Sequence, residues 1–350
     1  MLWSDELSAT GNLSDESLRY LLTTTDDDAV ECLRRRAQEE TIRQFGHSIF
    51  IRGLIEVSNY CKNNCYYCGI RRGNREVTRY RLSPAQILSC CREGYALGFR
   101  TFVLQGGEDP GIPDEVMVDT VLRIKHSYPD VAITLSLGEK SKEIYRKYRD
   151  AGADRYLLRH ETYDEIHYGM LHPSEMSRNH RIQCLHDLKE LGFQTGAGGM
   201  IGSPGQTLDH LVEDLRFIQD LKPEMIGVGP FIAHHSTPFA AQPNGSVELT
   251  TRFISLCRLL LPQALIPSTT SLASIPGENG RLRGILAGAN VIMPNLSPKD
   301  KRAQYTLYDH KAFLGGESAQ GLQTLAEQLA TIGYTISFDR GDHPTYATFH

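Results

Sequence analysis

The sequence predicts an α/β fold, a (β/α)8 barrel of the TIM type, on two observations. Short runs rich in β-branched residues recur eight times with helical stretches between them, and this alternation over about 250 residues is typical of such a barrel. Glycines and polar residues follow the C-terminal ends of these runs, which is where such barrels carry their chemistry. The predicted strands span residues 49–57, 101–104, 131–137, 154–160, 193–200, 225–228, 265–269 and 290–293.

Residues that begin and end helices separate these strands. Ser83 provides an N-cap, Pro84 takes the first helical position and Gln86 completes a capping box, so a helix is expected to start there. Glycines are expected to end this helix and two later ones at Gly98, Gly152 and Gly192. The strands and helices therefore alternate with defined boundaries.

One barrel accounts for most of the chain. We expect residues 1–48 to form an N-terminal helical segment, residues 49–310 the barrel and residues 311–350 a C-terminal extension. No apolar run of about 18 residues occurs, so no membrane span is expected. The first residues do not resemble a signal peptide, and the eight cysteines suggest thiols kept reduced in the cytoplasm. The formal net charge of −5 argues against nucleic-acid binding.

Three cysteines in one short loop after the first predicted strand are the strongest functional signal. Cys61, Cys65 and Cys68 have the spacing C-x-x-x-C-x-x-C, and no other cysteine lies at ligand spacing from them. A structural zinc site and a ferredoxin cubane each take four protein ligands. Three thiolates on a four-iron cluster would leave one iron with an open position where a substrate can coordinate.

Charged and hydroxyl side chains are predicted to face the barrel interior. Arg155, Arg159 and Glu161 share one parity on the fourth predicted strand, so all three should point inward. Buried charges are costly unless they pair with one another or serve a ligand, and a self-contained ion-pair cluster remains the alternative. Hydroxyl groups are expected to line or close the same cavity at Thr134, Ser136, Thr269, Thr270 and Tyr305.

Tyr67 directly precedes the last cysteine, and the loop thereby resembles the cluster loop of radical S-adenosylmethionine (radical SAM) enzymes. The resemblance implies a 4Fe–4S cluster on the three cysteines, with SAM bound to its unique iron. An electron from the cluster would cleave SAM to methionine and a 5′-deoxyadenosyl radical. The resemblance implies seven SAM-binding residues: Tyr67, Gly106, Gly107, Glu108, Ser136, Glu161 and Arg181. Arg178 is the alternative to Arg181.

Six ordered segments narrow the resemblance to the family of FeFe-hydrogenase maturases called HydE. They span residues 67–72, 105–110, 135–139, 155–162, 202–207 and 290–295. The family resemblance implies a cysteine-ligated iron carbonyl–cyanide complex as substrate, made by the companion maturase HydG, with radical attack on its sulfur. Its implied binding residues are Thr134, Arg155, Arg159, Thr269, Thr270 and Tyr305.

The same resemblance implies partners and leaves alternatives. HydG, the scaffold maturase HydF and a low-potential flavodoxin or ferredoxin are the expected partners, under anaerobic conditions. Some HydE proteins hold a second cluster near the C-terminus, but residues 309–334 contain no cysteine, so one cluster is expected. The rival family is methylornithine synthase, which rearranges lysine. Biotin synthase-like sulfur insertion, a non-catalytic iron–sulfur scaffold and a zinc module fit the residues less well.

Overall fold

A computed structural model describes residues 2–312 and 318–347 of the chain. The helices are α1 (Leu2–Thr10), α2 (Asp15–Thr23), α3 (Asp27–Phe45), α4 (Pro84–Ala96), α5 (Asp114–Ser127), α6 (Lys142–Asp150), α7 (Glu165–Leu171), α8 (Arg178–Glu190), α9 (Leu208–Leu221), α10 (Val247–Leu260), α11 (Thr270–Ser274), α12 (Gly280–Leu286), α13 (Lys299–Arg302), α14 (Leu322–Ala330) and α15 (Pro344–Ala347). The strands are β1 (Ser48–Ile51), β2 (Gly53–Ser58), β3 (Thr101–Gly106), β4 (Ala132–Ser136), β5 (Arg155–Leu157), β6 (Gln194–Ala197), β7 (Met200–Ile201), β8 (Met225–Ile226), β9 (Gly229–Pro230), β10 (Val291–Ile292) and β11 (Thr335–Ser337).

Parallel strands form a closed barrel with helices around it, which confirms the predicted fold class. Six strands pair in the order β2-β3-β4-β5-β6-β8. Single parallel bridges then complete the ring at Met225–Leu265, Pro267–Val291 and Leu54–Asn295. All of these pairs are parallel, so the C-terminal ends of the strands meet at one rim of the barrel.

Several predicted strands are shorter than expected, such as the fourth, which is observed only as β5 (Arg155–Leu157), and three others are irregular. The first is interrupted at Arg52, and the fifth is divided by a glycine pair into β6 and β7. Gly198 has φ 136°, and a Cβ there would lie 2.2 Å from the Gly227 carbonyl oxygen, so the backbone leaves the ladder at that point. The seventh contributes only single bridges, at Leu265 and Pro267. A proline has no N–H to donate to a ladder.

The predicted helix boundaries at the first βα unit are confirmed. Ser83 Oγ accepts the Gln86 N–H, and the Gln86 side chain accepts the Ser83 N–H in return. Positive φ angles of 99°, 103° and 76° occur at Gly98, Gly152 and Gly192, directly after the helices that these glycines were expected to end.

Segments from the two chain ends pack on different parts of the barrel. The apolar faces of α1, α2 and α3 pack with those of α9 and α10 in one buried cluster. The C-terminal residues reach the opposite rim from the cysteine loop, where β11 pairs with β1 and Arg340 contacts Asp154 at 3.0 Å. The proposed boundary at residue 310 stays a prediction. Among the described residues, no helix is long and apolar enough to cross a membrane.

Candidate active site

The three cysteines of the predicted cluster loop lie together at the C-terminal rim, just after β2. All are free thiols of intermediate exposure, and backbone N–H groups face the sulfur atoms of Cys61 and Cys68. Burial raises the pKa of each thiol, to about 12 for Cys68. Thiolates are the metal-binding form, so a cationic centre has to provide the stabilisation that removes these protons.

The spread of the three sulfur atoms suits a cluster better than a single ion. In the described ranges, only His234, His235 and Asp309 bring three possible metal-binding atoms within 4.8 Å of one another. At least one pair of the cysteine sulfurs is therefore more than 4.8 Å apart, whereas bonds of about 2.3 Å to one tetrahedral zinc require sulfur atoms roughly 3.8 Å apart. The group of His234, His235 and Asp309 is no better as a zinc site. His234 Nδ1 accepts the Ser236 N–H at 3.1 Å, so the ring proton is on Nε2 and neither nitrogen of this ring is free to bind a metal.

The glycine pair Gly106–Gly107 at the end of β3 lies directly against the cysteine loop. A Cβ on Gly107 would lie 2.2 Å from the Tyr60 carbonyl oxygen and 2.7 Å from Cys61 Cβ. The Gly107 N–H donates to the Ser58 carbonyl at 3.2 Å. Only glycine fits this contact without moving the loop, so the pair has a packing role besides any contact with a ligand.

Glu108 is buried and ties three rim segments together. Its Oε2 lies 3.1 Å from Lys62 Nζ in the cysteine loop, and its Oε1 accepts the Glu139 N–H at 3.0 Å. The Glu108 carbonyl also accepts the Lys62 N–H at 2.8 Å. The predicted SAM-binding residue therefore supports the cysteine loop, and its carboxylate is already engaged by the protein.

Arg159 and Glu161 form a two-point ion pair at the rim. The distances are 3.1 Å from Nε to Oε1 and 3.0 Å from Nη2 to Oε2. Glu161 is buried and has φ 70°, a left-handed conformation that costs a non-glycine residue about 1–2 kcal/mol. Burial opposes the Arg159 charge, but Glu161 outweighs it and raises the Arg159 pKa. Because β5 ends at Leu157, both residues lie beyond the strand on which the parity argument rested, and their ion pair brings the two side chains together at the rim.

Arg181, and not Arg178, reaches the rim. Arg181 is buried, with its Nε 2.6 Å from Glu139 Oε1 and its Nη1 donating to the Arg159 carbonyl at 3.1 Å. Arg178 instead donates to the Tyr163 carbonyl at 2.7 Å and lies 3.9 Å over that ring. The buried cation at 181 also lowers the pKa of the Cys65 thiol, although burial and the other cysteines dominate that pKa and raise it overall.

A histidine that the sequence did not single out holds Tyr67. His172 Nδ1 lies 2.9 Å from the Tyr168 carbonyl, so Nδ1 carries the proton and Nε2 accepts the Tyr67 hydroxyl at 3.2 Å. Burial, with a further contribution from Arg181, lowers the pKa of His172 to about 3 and keeps it neutral. The Tyr67 ring is thereby fixed beside the last cysteine.

The predicted hydroxyl lining is distributed around the interior. Thr134 is buried, and its Oγ1 has no hydrogen-bond partner within the described part of the chain. Ser136 lies opposite Gln105 in the ladder, whose amide donates to the buried Tyr305 hydroxyl at 3.4 Å. Thr269 Oγ1 and Ser271 Oγ are 2.9 Å apart, whereas Thr270 begins α11. These residues stay candidates for substrate contact.

Arg155 does not belong with the other candidates. It stands at the start of β5, at the opposite end of the barrel from the cysteines, and is fully buried. Its guanidinium lies 2.6 Å from Asp342 and donates to the Arg340 carbonyl at 2.8 Å. The parity argument predicted an inward side chain but could not predict at which depth the C-terminal segment would pair with it. We therefore leave Arg155 out of the site.

Sequence reasoning also missed a buried charge in the barrel. Glu56 near the end of β2 is fully buried, forms an ion pair with Lys311 and accepts the Asn295 side-chain N–H at 2.9 Å. Lys311 also donates to the Tyr305 carbonyl at 2.9 Å. A glutamate within an otherwise apolar strand was the signal available, but its partner is 255 residues away.

These observations define a radical SAM enzyme: a parallel α/β barrel with three free cysteines in one rim loop. A profile of the radical SAM superfamily matches residues 55–218. The chain is 46% identical over 297 residues to the FeFe-hydrogenase maturase subunit HydE of Thermotoga maritima, covering 85% of this chain and 84% of that protein. It is 30% identical over 299 residues to 3-methylornithine synthase of Methanosarcina acetivorans, covering 85% and 83%.

The chain belongs to the family of the HydE maturase subunit. Membership of the radical SAM superfamily implies a 4Fe–4S cluster and SAM. Among solved structures, methylornithine synthase PylB superposes with a TM-score of 0.84 at 25% identity, covering 99% of this chain and 100% of that one. The maturase HydG superposes with a TM-score of 0.82 at 19% identity, covering 99% and 78%, which is a likeness of fold alone.

Proposed function

We propose that Cys61, Cys65 and Cys68 hold a single 4Fe–4S cluster whose open iron binds SAM. When bound, the cluster supplies the electron that cleaves SAM to methionine and a 5′-deoxyadenosyl radical. Two features support this assignment: at least two of the sulfur atoms lie more than 4.8 Å apart, and backbone N–H groups face two of the three. Cysteine donors with such N–H contacts are typical of iron–sulfur sites.

The rim residues are proposed to bind SAM around this centre. Glu161 offers a carboxylate that can accept hydrogen bonds from hydroxyl and amino donors of SAM, and Arg181 offers a buried cation for its carboxylate. Gly106 and Ser136 lie at the ends of β3 and β4 at the same rim. Tyr67, held by His172, borders the site. Glu108 and Gly107 contribute mainly by supporting the cysteine loop.

The proposed substrate is a cysteine-bound iron carbonyl–cyanide precursor of the di-iron subcluster, with radical attack on its sulfur. The observation that carries this proposal is the 46% identity to a FeFe-hydrogenase maturase subunit. An anionic complex needs cationic and hydroxyl donors in a cavity that excludes water. Arg159 provides the cation, and hydroxyl groups are available from Thr134, Thr269, Thr270 and Tyr305.

A lysine mutase of the methylornithine synthase kind is the second candidate. The 30% identity to 3-methylornithine synthase and the superposition on PylB favour it. Both chemistries need the same SAM site, so the two candidates differ in the substrate that the radical attacks.

HydG, HydF and a low-potential flavodoxin or ferredoxin are the proposed partners. HydG would supply the iron complex and HydF would receive its product, while the electron donor would reduce the cluster. Co-purification of the anaerobic protein with each tagged maturase tests the first two contacts. The proposed donor would be contradicted if dithionite supports SAM cleavage but neither a reduced flavodoxin nor a reduced ferredoxin does.

The deciding experiment is SAM cleavage by the reconstituted protein under anaerobic conditions with reductant. 5′-Deoxyadenosine and adenosyl adducts are measured with no addition, with the HydG-made complex and with lysine. An adenosyl adduct that forms only with the iron complex is the expected result. Methylornithine from lysine would establish the second candidate instead, and no cleavage by a fully loaded protein would favour a scaffold.

A further inference from the structure

We infer that His160 is a positioning residue that holds Glu161 in place for binding SAM, with Asp214 on α9 supporting it. This inference rests on the proposed SAM site. None of the roles proposed above uses His160 or Asp214. The argument starts from the left-handed backbone of Glu161, which a glutamate adopts only when its surroundings hold it there.

The backbone of Glu161 is tied to the glycine pair after β6. The Glu161 N–H donates to the Gly198 carbonyl at 3.0 Å, and Glu161 and Gly199 form a parallel bridge. A Cβ on Gly199 would lie 2.4 Å from the Glu161 carbonyl oxygen, so the two segments are in close contact. The orientation of Glu161 therefore depends on where this glycine pair lies.

His160 holds the glycine pair in place through a hydrogen bond. It is buried, and its Nδ1 accepts the Gly198 N–H at 3.1 Å. The strand ladder does not use this N–H because the backbone turns away at Gly198, which has φ 136°. Gly198 is thus held on both sides: its N–H by the side chain of His160 and its carbonyl by the backbone of Glu161.

Asp214 on α9 lies beside the other nitrogen of the His160 ring. Because Nδ1 accepts a hydrogen bond, the proton of the neutral ring is on Nε2. Nε2 lies 3.3 Å from Asp214 Oδ1, an electrostatic contact rather than an aligned hydrogen bond. The same oxygen accepts the Tyr163 N–H at 2.6 Å, and Phe217 packs edge-on against the His160 ring at 4.8 Å. Asp214 and Phe217, both on α9, therefore contact the His160 ring.

The consequence is a chain of contacts from α9 to the rim. Asp214 contacts His160, His160 accepts the Gly198 N–H, and the Gly198 carbonyl accepts the N–H of Glu161, whose carboxylate pairs with Arg159. A loss at His160 should therefore weaken SAM binding without removing a group that touches SAM.

His160→Phe keeps the ring and its contact with Phe217 but removes the acceptor. We expect the variant to keep its iron content and to bind SAM about tenfold more weakly. This is the size of effect expected when one hydrogen bond to a charged group is weakened. Affinity is measured by titrating SAM into the loaded protein. In the metal-free protein, hydrogen exchange at Gly198 should be faster than in the wild type. His167→Phe, another buried histidine whose hydrogen bonds go to Thr162 and Pro204, is the matched control and should leave SAM affinity unchanged.

Two further variants decide between positioning and a merely structural role. His160→Asn keeps an acceptor at the Nδ1 position and should bind SAM nearly as the wild type does, whereas His160→Gln should not. This pair also serves if His160→Phe fails to fold. In a Glu161→Gln background, His160→Phe should have no further effect on SAM affinity.

Some results would overturn the inference. They are full SAM affinity in His160→Phe, equal weakening in the Asn and Gln variants, or additive effects with Glu161→Gln. If the wild-type protein itself binds no SAM, the proposed function fails first. Faster exchange at Gly198 in His160→Phe would still support the structural half of the inference in that case, and unchanged exchange would reject it.

Discussion

Gly107→Ala should prevent stable cluster binding, because the added methyl group has no room. The new Cβ would lie 2.2 Å from the Tyr60 carbonyl oxygen and 2.7 Å from Cys61 Cβ, whereas ordinary contacts begin near 3.4 Å. One of the two segments must therefore move by about 1 Å, and overpacking of this kind typically costs about 1–3 kcal/mol. Metal–ligand distances tolerate only about 0.2 Å. A displaced Cys61 should thus lose its iron contact.

Iron and sulfide content after anaerobic reconstitution, with the visible absorption of the cluster, measures the effect. We expect the variant to retain well under half of the wild-type iron, while its thermal unfolding remains cooperative. Gly169→Ala is the matched control, since a Cβ there meets nothing within 4 Å on α7. It should bind a full cluster and be slightly stabilised, because alanine favours a helix by about 1 kcal/mol over glycine. Full iron content and normal SAM cleavage in Gly107→Ala would refute the packing argument.

Three other substitutions probe separate parts of the molecule. Arg159→Ala should keep its cluster, but adduct formation with the HydG-made complex should be slower by at least about tenfold, because the cation that binds the proposed substrate is gone. Turnover at the wild-type rate would remove Arg159 from the site. Tyr67→Phe should keep the cluster and weaken SAM binding by a few-fold, because the ring loses its bond to His172, and unchanged affinity in a SAM titration would reject this role. Asp342→Asn should lower the free energy of unfolding at pH 7 by about 3–5 kcal/mol, because it leaves the buried Arg155 without its acid. The Asp342 pKa is held below its usual value, although burial alone would raise it, because Arg155 and Arg340 stabilise the carboxylate. The stabilisation is therefore fully present above about pH 4 and is lost only gradually as the pH falls towards the lowered pKa of Asp342. Thermal unfolding should show a smaller difference between the wild type and Asp342→Asn at pH 3 than at pH 7. Equal melting temperatures at pH 7 would contradict the prediction.

Local spacing made the central features of this protein predictable. The cysteine loop, the capping box at Ser83 and the glycines after α4, α6 and α8 depend on residues that are close in the chain. Backbone geometry and side-chain type fix such motifs before any long-range contact forms. The alternation of strands and helices likewise predicted the barrel, because parallel strands with helical crossovers have few ways to close. The family resemblance of the ordered segments agreed with the comparisons.

The depth and pairing of the interior charges were decided by the tertiary structure. Arg155 and Arg159 were predicted on one strand with one parity, yet Arg155 pairs with Asp342 at the far end of the barrel, and Arg159 lies beyond the end of β5 and pairs with Glu161 at the rim. Parity gives the face of a strand but not the partner that arrives there from a distant part of the chain.

The sequence by itself determined the fold class and the three-cysteine loop, since both follow from periodicity and short spacing. Only the tertiary structure decided that Arg181, rather than Arg178, reaches the rim. It also decided that His160 and Asp214 connect α9 to the segment that holds Glu161. Asp214 is 51 residues from the Tyr163 N–H that it accepts, and Lys311 is 255 residues from Glu56. Buried polar groups need hydrogen-bond partners, and those partners come from distant parts of the folded chain. Local sequence patterns therefore do not predict which residues pair.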